Sequence, residues 1–388
     1  MHSPSPTMLS PGIGGIGADH RFRWLHEADT AYAAMEQLIA ASRETLDVEF
    51  YIFSRGVVAG RLIDSMARAA ARGVHVRVLL DAFGSGAPGG AWLAPLAQAG
   101  VELRWFNPRR LLRYTCHDHR KLVVADGRQA ILGGFNVADE YAGDGITHGW
   151  RDLALLVEGP VAAALQASFA GLFAAAALRH RDWLRLLRTA RQRVPAAGDV
   201  QLLLSGPGRT QSQLRRALYA DLRQAARIDI LGAYFVPTGR IRRALRRRAR
   251  GGALRVLTAG RSDVPLAQLA SRSLYPMLLR AGAEIWEYQP QVMHAKALLV
   301  DDVIWVGSAN LDARSLQLNF ELMLRIREPE LAAQLRSRFE ADLVHAERVQ
   351  HAWVAQWSLS RRALQFLARI VVTRLDRWLA LGALRRLL

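Results

Sequence analysis

The chain has 388 residues, enough for two domains of ordinary size, and 51% of them are hydrophobic, which excludes a solvated disordered polymer. Its formal charge of +18 draws polyanions, either nucleic acid or an anionic membrane surface. The single cysteine, Cys116, excludes an intrachain disulfide; it lies beside His117 and His119, but the paired ligand spacings of zinc sites are missing, so neither a metal nor a cofactor is expected.

In chain order, residues 1–20 are rich in Gly, Pro and Ser, carry no basic-then-apolar leader and read as a disordered start. The run LDVEFYIF (46–53) predicts a strand, 60–72 a helix, and VHVRVLL (74–80) a second strand after Gly73. LAQAGVELRWFNP (96–108) gives a helix end, a glycine cap, a short strand and a proline. Residues 159–178 are uncharged and long enough to span a bilayer, yet mostly alanine with Gln166, Ser168 and Gly171, which predicts a buried helix and no transmembrane segment. The arginine-rich stretch 178–199, ending in Pro-Ala-Ala-Gly, predicts a boundary.

The second half repeats this order: IDILGAYFVP (228–237), a helix at 239–250 crowded with arginine, two glycines, the strand ALRVLT, and LLRAGAEIWEYQP (278–290). Strand, helix, strand order in both halves predicts an α/β fold with two α-β-α domains, 21–190 and 191–347, in a pseudo-twofold pair whose site lies at their interface. A tail, 348–388, follows.

Of the 52 basic residues only two are lysine, and each stands two places after a histidine: HDHRKLVVAD (117–126) and HAKALLVDD (294–302). Two lysines scattered over those basic positions would fall here about once in a thousand, so the ammonium itself matters, being compact where arginine is a broad planar fork. The motif H-x-K-x-x-x-x-D therefore occurs twice, as His119, Lys121, Asp126 and as His294, Lys296, Asp301. On a strand, i and i+2 point the same way, so each His and Lys share a face. Each motif leads to a small-residue turn and an asparagine: Gly134 and Asn136 in GGFN, Ser308 and Asn310 in GSAN.

These paired motifs resemble the two HKD motifs of the phospholipase D superfamily, over about residues 21–347, and within it the bacterial cardiolipin synthases that lack N-terminal membrane helices. The resemblance implies a metal-free exchange of phosphodiesters through a phosphohistidine. His119 would be the nucleophile and His294 the acid and base. Lys121, Lys296, Asn136 and Asn310 would hold the non-bridging oxygens. A carboxylate should orient each histidine: Glu321 is the candidate in the second half. Asp152 is the candidate in the first, where Asp139, Glu140 and Asp144 compete for the role. Asp126 and Asp301 belong to the motif but read as structural, serving backbone or turn groups; His117 reads as a bystander. Tyr51, Phe53, Tyr234 and Phe235 line a channel or the core.

Drawn as a helix, the tail from 361 puts Arg362, Gln365, Arg369, Thr373, Asp376 and Arg377 on one arc, with Leu364, Leu367, Val371, Leu375 and Trp378 opposite. That pattern predicts a helix lying in an anionic membrane interface, with docking on the protein as the alternative. The expectation is thus a bacterial enzyme peripheral on the cytoplasmic face of the cell membrane. It would transfer a phosphatidyl group from phosphatidylglycerol to a second lipid with release of glycerol. A phospholipase D-type hydrolase or nuclease, and a non-catalytic scaffold, are the competing readings.

Overall fold

A computed structural model describes residues 20–86, 90–107, 116–176, 199–207 and 212–375. The start expected to be disordered (residues 1–19 of it), nearly all of the boundary stretch, and Asp376, Arg377 and Trp378 of the tail pattern lie outside the described residues.

Seven strands form the first sheet: β1 (Arg21–Leu25), β2 (Thr45–Phe50), β3 (His75–Asp81), β4 (Glu102–Phe106), β5 (Lys121–Ala125), β6 (Gln129–Gly133) and β7 (Ala154–Glu158). Eight form the second: β8 (Val200–Ser205), β9 (Ile228–Gly232), β10 (Leu254–Ala259), β11 (Glu284–Tyr288), β12 (Lys296–Val300), β13 (Val303–Gly307), β14 (Glu321–Arg327) and β15 (Ala346–Arg348). The orders are β1-β7-β6-β5-β2-β3-β4 and β15-β11-β10-β9-β12-β13-β14-β8. Reversing the second and setting aside β15 at its edge gives the first order again. In each half three parallel strands (β2 to β4, β9 to β11) are linked through helices, and the motif strand pairs antiparallel with the first of them.

The same device joins neighbouring strands twice. Arg77 reaches Asp47 at 2.7 Å and Arg255 reaches Asp229 at 2.6 Å, each pair in register across β2–β3 or β9–β10. Each guanidinium also lies over a ring of the long helix behind it: Phe169 in Pro160–Ala176, Phe339 in Pro329–Leu343. A carboxylate on one side and an aromatic face on the other let an arginine be largely buried without an unpaired charge.

Strand alternation decides which core each residue joins. Leu122 and Val124 of β5, with Ala297 and Leu299 of β12, meet in a central core drawn from both halves, into which those two long helices also pack. Val123 and Ala125 face a second core under the helices Ala28–Ala41 and Val57–Ala71. Leu298 and Val300 face a third under Gln213–Gln224 and Gly239–Ala249. The two sheets are thus joined by a shared apolar layer and clothed outside by helices, a two-domain arrangement with pseudo-twofold symmetry.

The tail departs from its expected packing. The helix Leu359–Ile370 is docked on Pro265–Arg272, and it is Gln365, expected on the solvated arc, that is buried beside Ala368. The reason is close approach: Ala368 meets Ala270 and Val236 in a small cluster, and the neighbouring glutamine is carried in with it. Leu364 and Leu367 remain on the outer side, 54% and 56% exposed.

Candidate active site

The two histidines are placed by short bridges between the halves. Asp118 pairs in parallel with Phe320: the His119 N–H donates to Phe320 O at 3.0 Å, and the Phe320 N–H donates to His117 O at 2.8 Å. Arg151 pairs in the same way with Met293: the His294 N–H donates to Arg151 O at 2.7 Å, and the Arg151 N–H donates to Val292 O at 2.9 Å. Each clamp ends one residue before a carboxylate of the opposite half, so the carboxylates are exchanged. Nδ1 of His119 lies 3.1 Å from Glu321 Oε2, and Nδ1 of His294 lies 2.7 Å from Asp152 Oδ2.

These contacts define protons. Nδ1 of His119 is also 3.1 Å from the backbone oxygen of Ser308, which can only accept, so Nδ1 carries the hydrogen and Nε2 keeps its lone pair. Burial, then the fields of Lys121 and Lys296, holds His119 well below the usual imidazole range, and therefore neutral. His294 is lowered by burial and by Lys296, while Asp152 works in the opposite direction and favours its charged form.

Both lysines are buried. Lys121 donates to His119 O at 2.6 Å and stands 5.2 Å from the centre of the Tyr51 ring. Lys296 donates to His294 O at 2.6 Å, with its ammonium 2.8 Å from Nδ1 of that ring. Burial and the charge of Lys296 bring Lys121 down to about 7; burial lowers Lys296 as well. Glu321 is pushed up to about 7 by burial, against the pull of Lys121 and the hydroxyl of Ser308, which donates to it at 2.5 Å. Two buried lysines with lowered affinity for protons thus stand beside two imidazoles, each backed by a carboxylate, an arrangement that can hold an anion and move protons next to it.

Gly134 and Ser308 occupy matching turns with different tasks. A Cβ at Gly134 would collide with the Asp152 carboxylate, whereas Ser308 supplies the donor to Glu321. Asn136 is engaged on both sides, accepting from the Ile52 N–H at 3.2 Å and donating to the Tyr141 hydroxyl at 2.7 Å. Among the described residues, the Oδ1 of buried Asn310 has no hydrogen-bond partner.

The competing carboxylates are turned to other work. Asp139 accepts from the Val57 and Val58 N–H groups at 2.9 Å, Asp144 accepts from Ile146 and Thr147, and Glu140 is exposed. Asp126 and Asp301 lie at the far ends of their strands and are not brought to the histidines. Both adopt left-handed backbone in a hairpin turn, with φ of 54° and 55°. Asp126 accepts from the Arg43, Glu44 and Thr45 N–H groups, Asp301 from Ala226 and Arg227.

Tyr51 and Tyr234 flank the histidines, their rings 4.9 Å from His119 and 6.1 Å from His294, whereas Phe53 and Phe235 are core residues. Tyr141, whose hydroxyl lies 3.2 Å from His294 Nδ1, and Trp150, 5.7 Å ring to ring, were not singled out from the sequence. They sit in the stretch between Asn136 and Asp152, where the sequence signal lies in the carboxylates and not in the aromatic residues. Arg151, fully buried and 2.8 Å from Asp342 of the other half, has no sequence signal because its partner is 191 positions away.

The chain matches the family model described as cardiolipin synthase, PLD-like domain, over residues 35–172 and 218–343. It is 33% identical over 375 residues to cardiolipin synthase 1 of Bacillus anthracis, covering 92% of this chain and 73% of that one. It is 32% identical over 361 residues to cardiolipin synthase B of Salmonella typhimurium, covering 89% and 87%. The crystal structure of phosphatidylserine synthase from Haemophilus influenzae Rd KW20 shares the fold, with a TM-score of 0.72 over 94% of both chains at 14% identity. With a family model matched in both halves and relatives of that identity spanned over most of their length, the chain belongs to the cardiolipin synthases of the phospholipase D superfamily.

Proposed function

We propose that the chain transfers a phosphatidyl group from phosphatidylglycerol to a second phosphatidylglycerol, releasing glycerol and making cardiolipin. The observation that carries this reading is the exchange of carboxylates: a neutral His119 with Nε2 unprotonated, facing a His294 whose charge Asp152 supports, both beside buried lysines. Nε2 of His119 attacks phosphorus; the P–N bond forms, the P–O bond to glycerol breaks, and His294 gives its proton to the departing oxygen. His294, now neutral, takes the proton of the acceptor hydroxyl, whose oxygen forms a new P–O bond as the P–N bond breaks. Lys121 and Lys296 hold the non-bridging oxygens, with the Asn310 amide as a further donor and Asn136 positioning Tyr141. Asp126 and Asp301 serve the turns that end the motif strands.

We further read the protein as peripheral on an anionic bilayer, on the cytoplasmic leaflet, whose negative surface suits a basic protein. Leu359, Leu364, Phe366 and Leu367 of the docked helix are exposed, as are Val264 and Leu266 at the start of the helix it packs on. Arg369 close by feels the charges of Arg242 and Arg374, so the apolar ridge is flanked by cations. Val264 follows Asp263, which accepts from the Tyr234 hydroxyl at 2.7 Å, and the Tyr234 ring faces His294. The ridge therefore adjoins the site that needs lipid.

The test is incubation of the full chain with phosphatidylglycerol vesicles, without added metal, and mass spectrometry of the products, with H119A as control. Cardiolipin and glycerol, absent with H119A, are expected. Phosphatidic acid alone would make the protein a hydrolase, and no lipid turnover would overturn the reading and leave DNA as the phosphodiester to test.

A further inference from the structure

The groups assigned so far surround one phosphorus. An acceptor phospholipid brings a second phosphate, six bonds from the first in the product, and that charge also needs a site. We propose that His117, walled by Tyr51 and Phe83, forms a second phosphodiester subsite that holds the phosphate of the acceptor lipid. The proposal rests on the transfer reading for the identity of its ligand.

His117 is 4% exposed, and among the described residues its Nδ1 has no hydrogen-bond partner; Oδ1 of the Asp81 carboxylate is 3.8 Å away, beyond hydrogen-bond range. Asp81 is occupied elsewhere, accepting from the N–H groups of Phe83, Gly84 and Asp118. A histidine kept only for packing at such depth should be paired, because an unpaired buried polar atom costs about 1–3 kcal/mol.

Position points to the ligand. The bridge at Asp118 keeps the backbone extended, so His117 and His119 project the same way with Cα atoms about 6.6 Å apart. The path P–O–C–C–C–O–P between the phosphates of cardiolipin has the same reach, about 6–7.5 Å at ordinary bond lengths. Both imidazoles border one ring, that of Tyr51, at 5.5 Å and 4.9 Å.

Charge agrees with position. After burial, the largest influence on His117 is the charge of Arg314, so a guanidinium lies in its field and the imidazole is neutral. A neutral N–H donor beside a guanidinium suits a monoanionic phosphodiester. Phe83 stacks on His117 at 4.8 Å and is 42% exposed, so the subsite reaches the surface along an apolar edge where acyl chains can leave.

The experiment compares an acceptor with a phosphate and one without. Cardiolipin formation from phosphatidylglycerol and incorporation of labelled free glycerol into phosphatidylglycerol share the donor step and differ in the acceptor. In H117L the ratio of cardiolipin formed to glycerol exchanged is expected to fall about tenfold or more, with partial recovery in H117Q, which keeps a donor. An unchanged ratio, with both rates falling together or neither moving, overturns the subsite. Calorimetry with dihexanoyl phosphatidylglycerol gives a readout that does not need turnover. H119A should bind two equivalents and H119A/H117L one; a single equivalent in H119A overturns the subsite whatever the reaction proves to be. Two equivalents in H119A and one in H119A/H117L, from a protein that forms neither product, would leave the subsite standing and remove the transfer reading.

Discussion

Nδ1 of His294 lies 2.7 Å from Oδ2 of Asp152, a residue 142 positions earlier in the chain and in the other half. Glu321 and His119 repeat the relationship across 202 positions, so each motif histidine takes its carboxylate from the other half. The site is made by association of the halves, and the buried Arg151–Asp342 ion pair at 2.8 Å lies one residue from Asp152.

Replacing Asp152 by Asn keeps the shape of that contact but removes the charge that favours imidazolium at His294. D152N is expected to lower kcat about a hundredfold or more with little change in KM, since acid–base catalysis rather than binding is lost. Steady-state rates on phosphatidylglycerol check this. A kcat within a few-fold of wild type would remove Asp152 from the role.

The two lysines should not tolerate the residue that replaces lysine everywhere else in this chain. Lys121 is buried between the His119 backbone oxygen and the Tyr51 ring, and a planar guanidinium is larger than the space an ammonium fills. K121R is expected to lose about 1–3 kcal/mol of stability by overpacking and most of its activity. Denaturant unfolding and turnover report the two losses; a fully active, equally stable variant would show that charge alone suffices.

Anion binding should depend on pH through Lys121. Its pKa is lowered to about 7, so in the free protein the ammonium is present below that pH and lost as pH rises through it. Affinity for a soluble phosphodiester such as dimethyl phosphate is therefore expected to fall between about pH 6 and 8.5, with proton uptake on binding at pH 7.5. Calorimetry in two buffers of different ionisation heat measures both. K121M should make the profile shallower, leaving the part that comes from Glu321, itself raised to about 7, and a flat wild-type profile would mean that Lys121 keeps its proton throughout.

What the sequence discloses and what it hides have one physical cause, the range of the interactions. Strand and helix order is legible because alternation and glycine caps act within about ten residues, and Lys121 and Lys296 stand out by composition alone. Asp126 and Asp301 can be read as turn residues because what they serve is local hairpin geometry. The pairing of Asp152 with His294 cannot be read, because Asp152, Asp139 and Asp144 are chemically alike, and only the bridge from Arg151 to Met293 separates them. Gln365 misleads for the same reason: a helical wheel gives its arc, while the small Ala270 and Ala368 decide which arc is buried.

The apolar ridge can be separated from catalysis by the form of the substrate. Leu364 and Leu367 are more than half exposed and outside the buried contact of Gln365 and Ala368, so aspartate at both should leave the fold intact. Each leucine transferred into lipid contributes about 1.5–3 kcal/mol when fully buried, and a charge in its place opposes entry. L364D/L367D is expected to bind phosphatidylglycerol vesicles about a hundredfold more weakly in sedimentation, and to lose turnover on vesicles. Its turnover of dihexanoyl phosphatidylglycerol below the micellar limit should persist, because that substrate reaches His119 without a bilayer. Unchanged vesicle binding would place the membrane contact elsewhere. A wild type that sediments as a dimer, with the variant a monomer, would assign the ridge to a second copy of the chain. The cations argue against that outcome: a twofold contact through this face would bring Arg242, Arg369 and Arg374 of each copy toward those of the other, whereas an anionic bilayer meets them with the opposite charge.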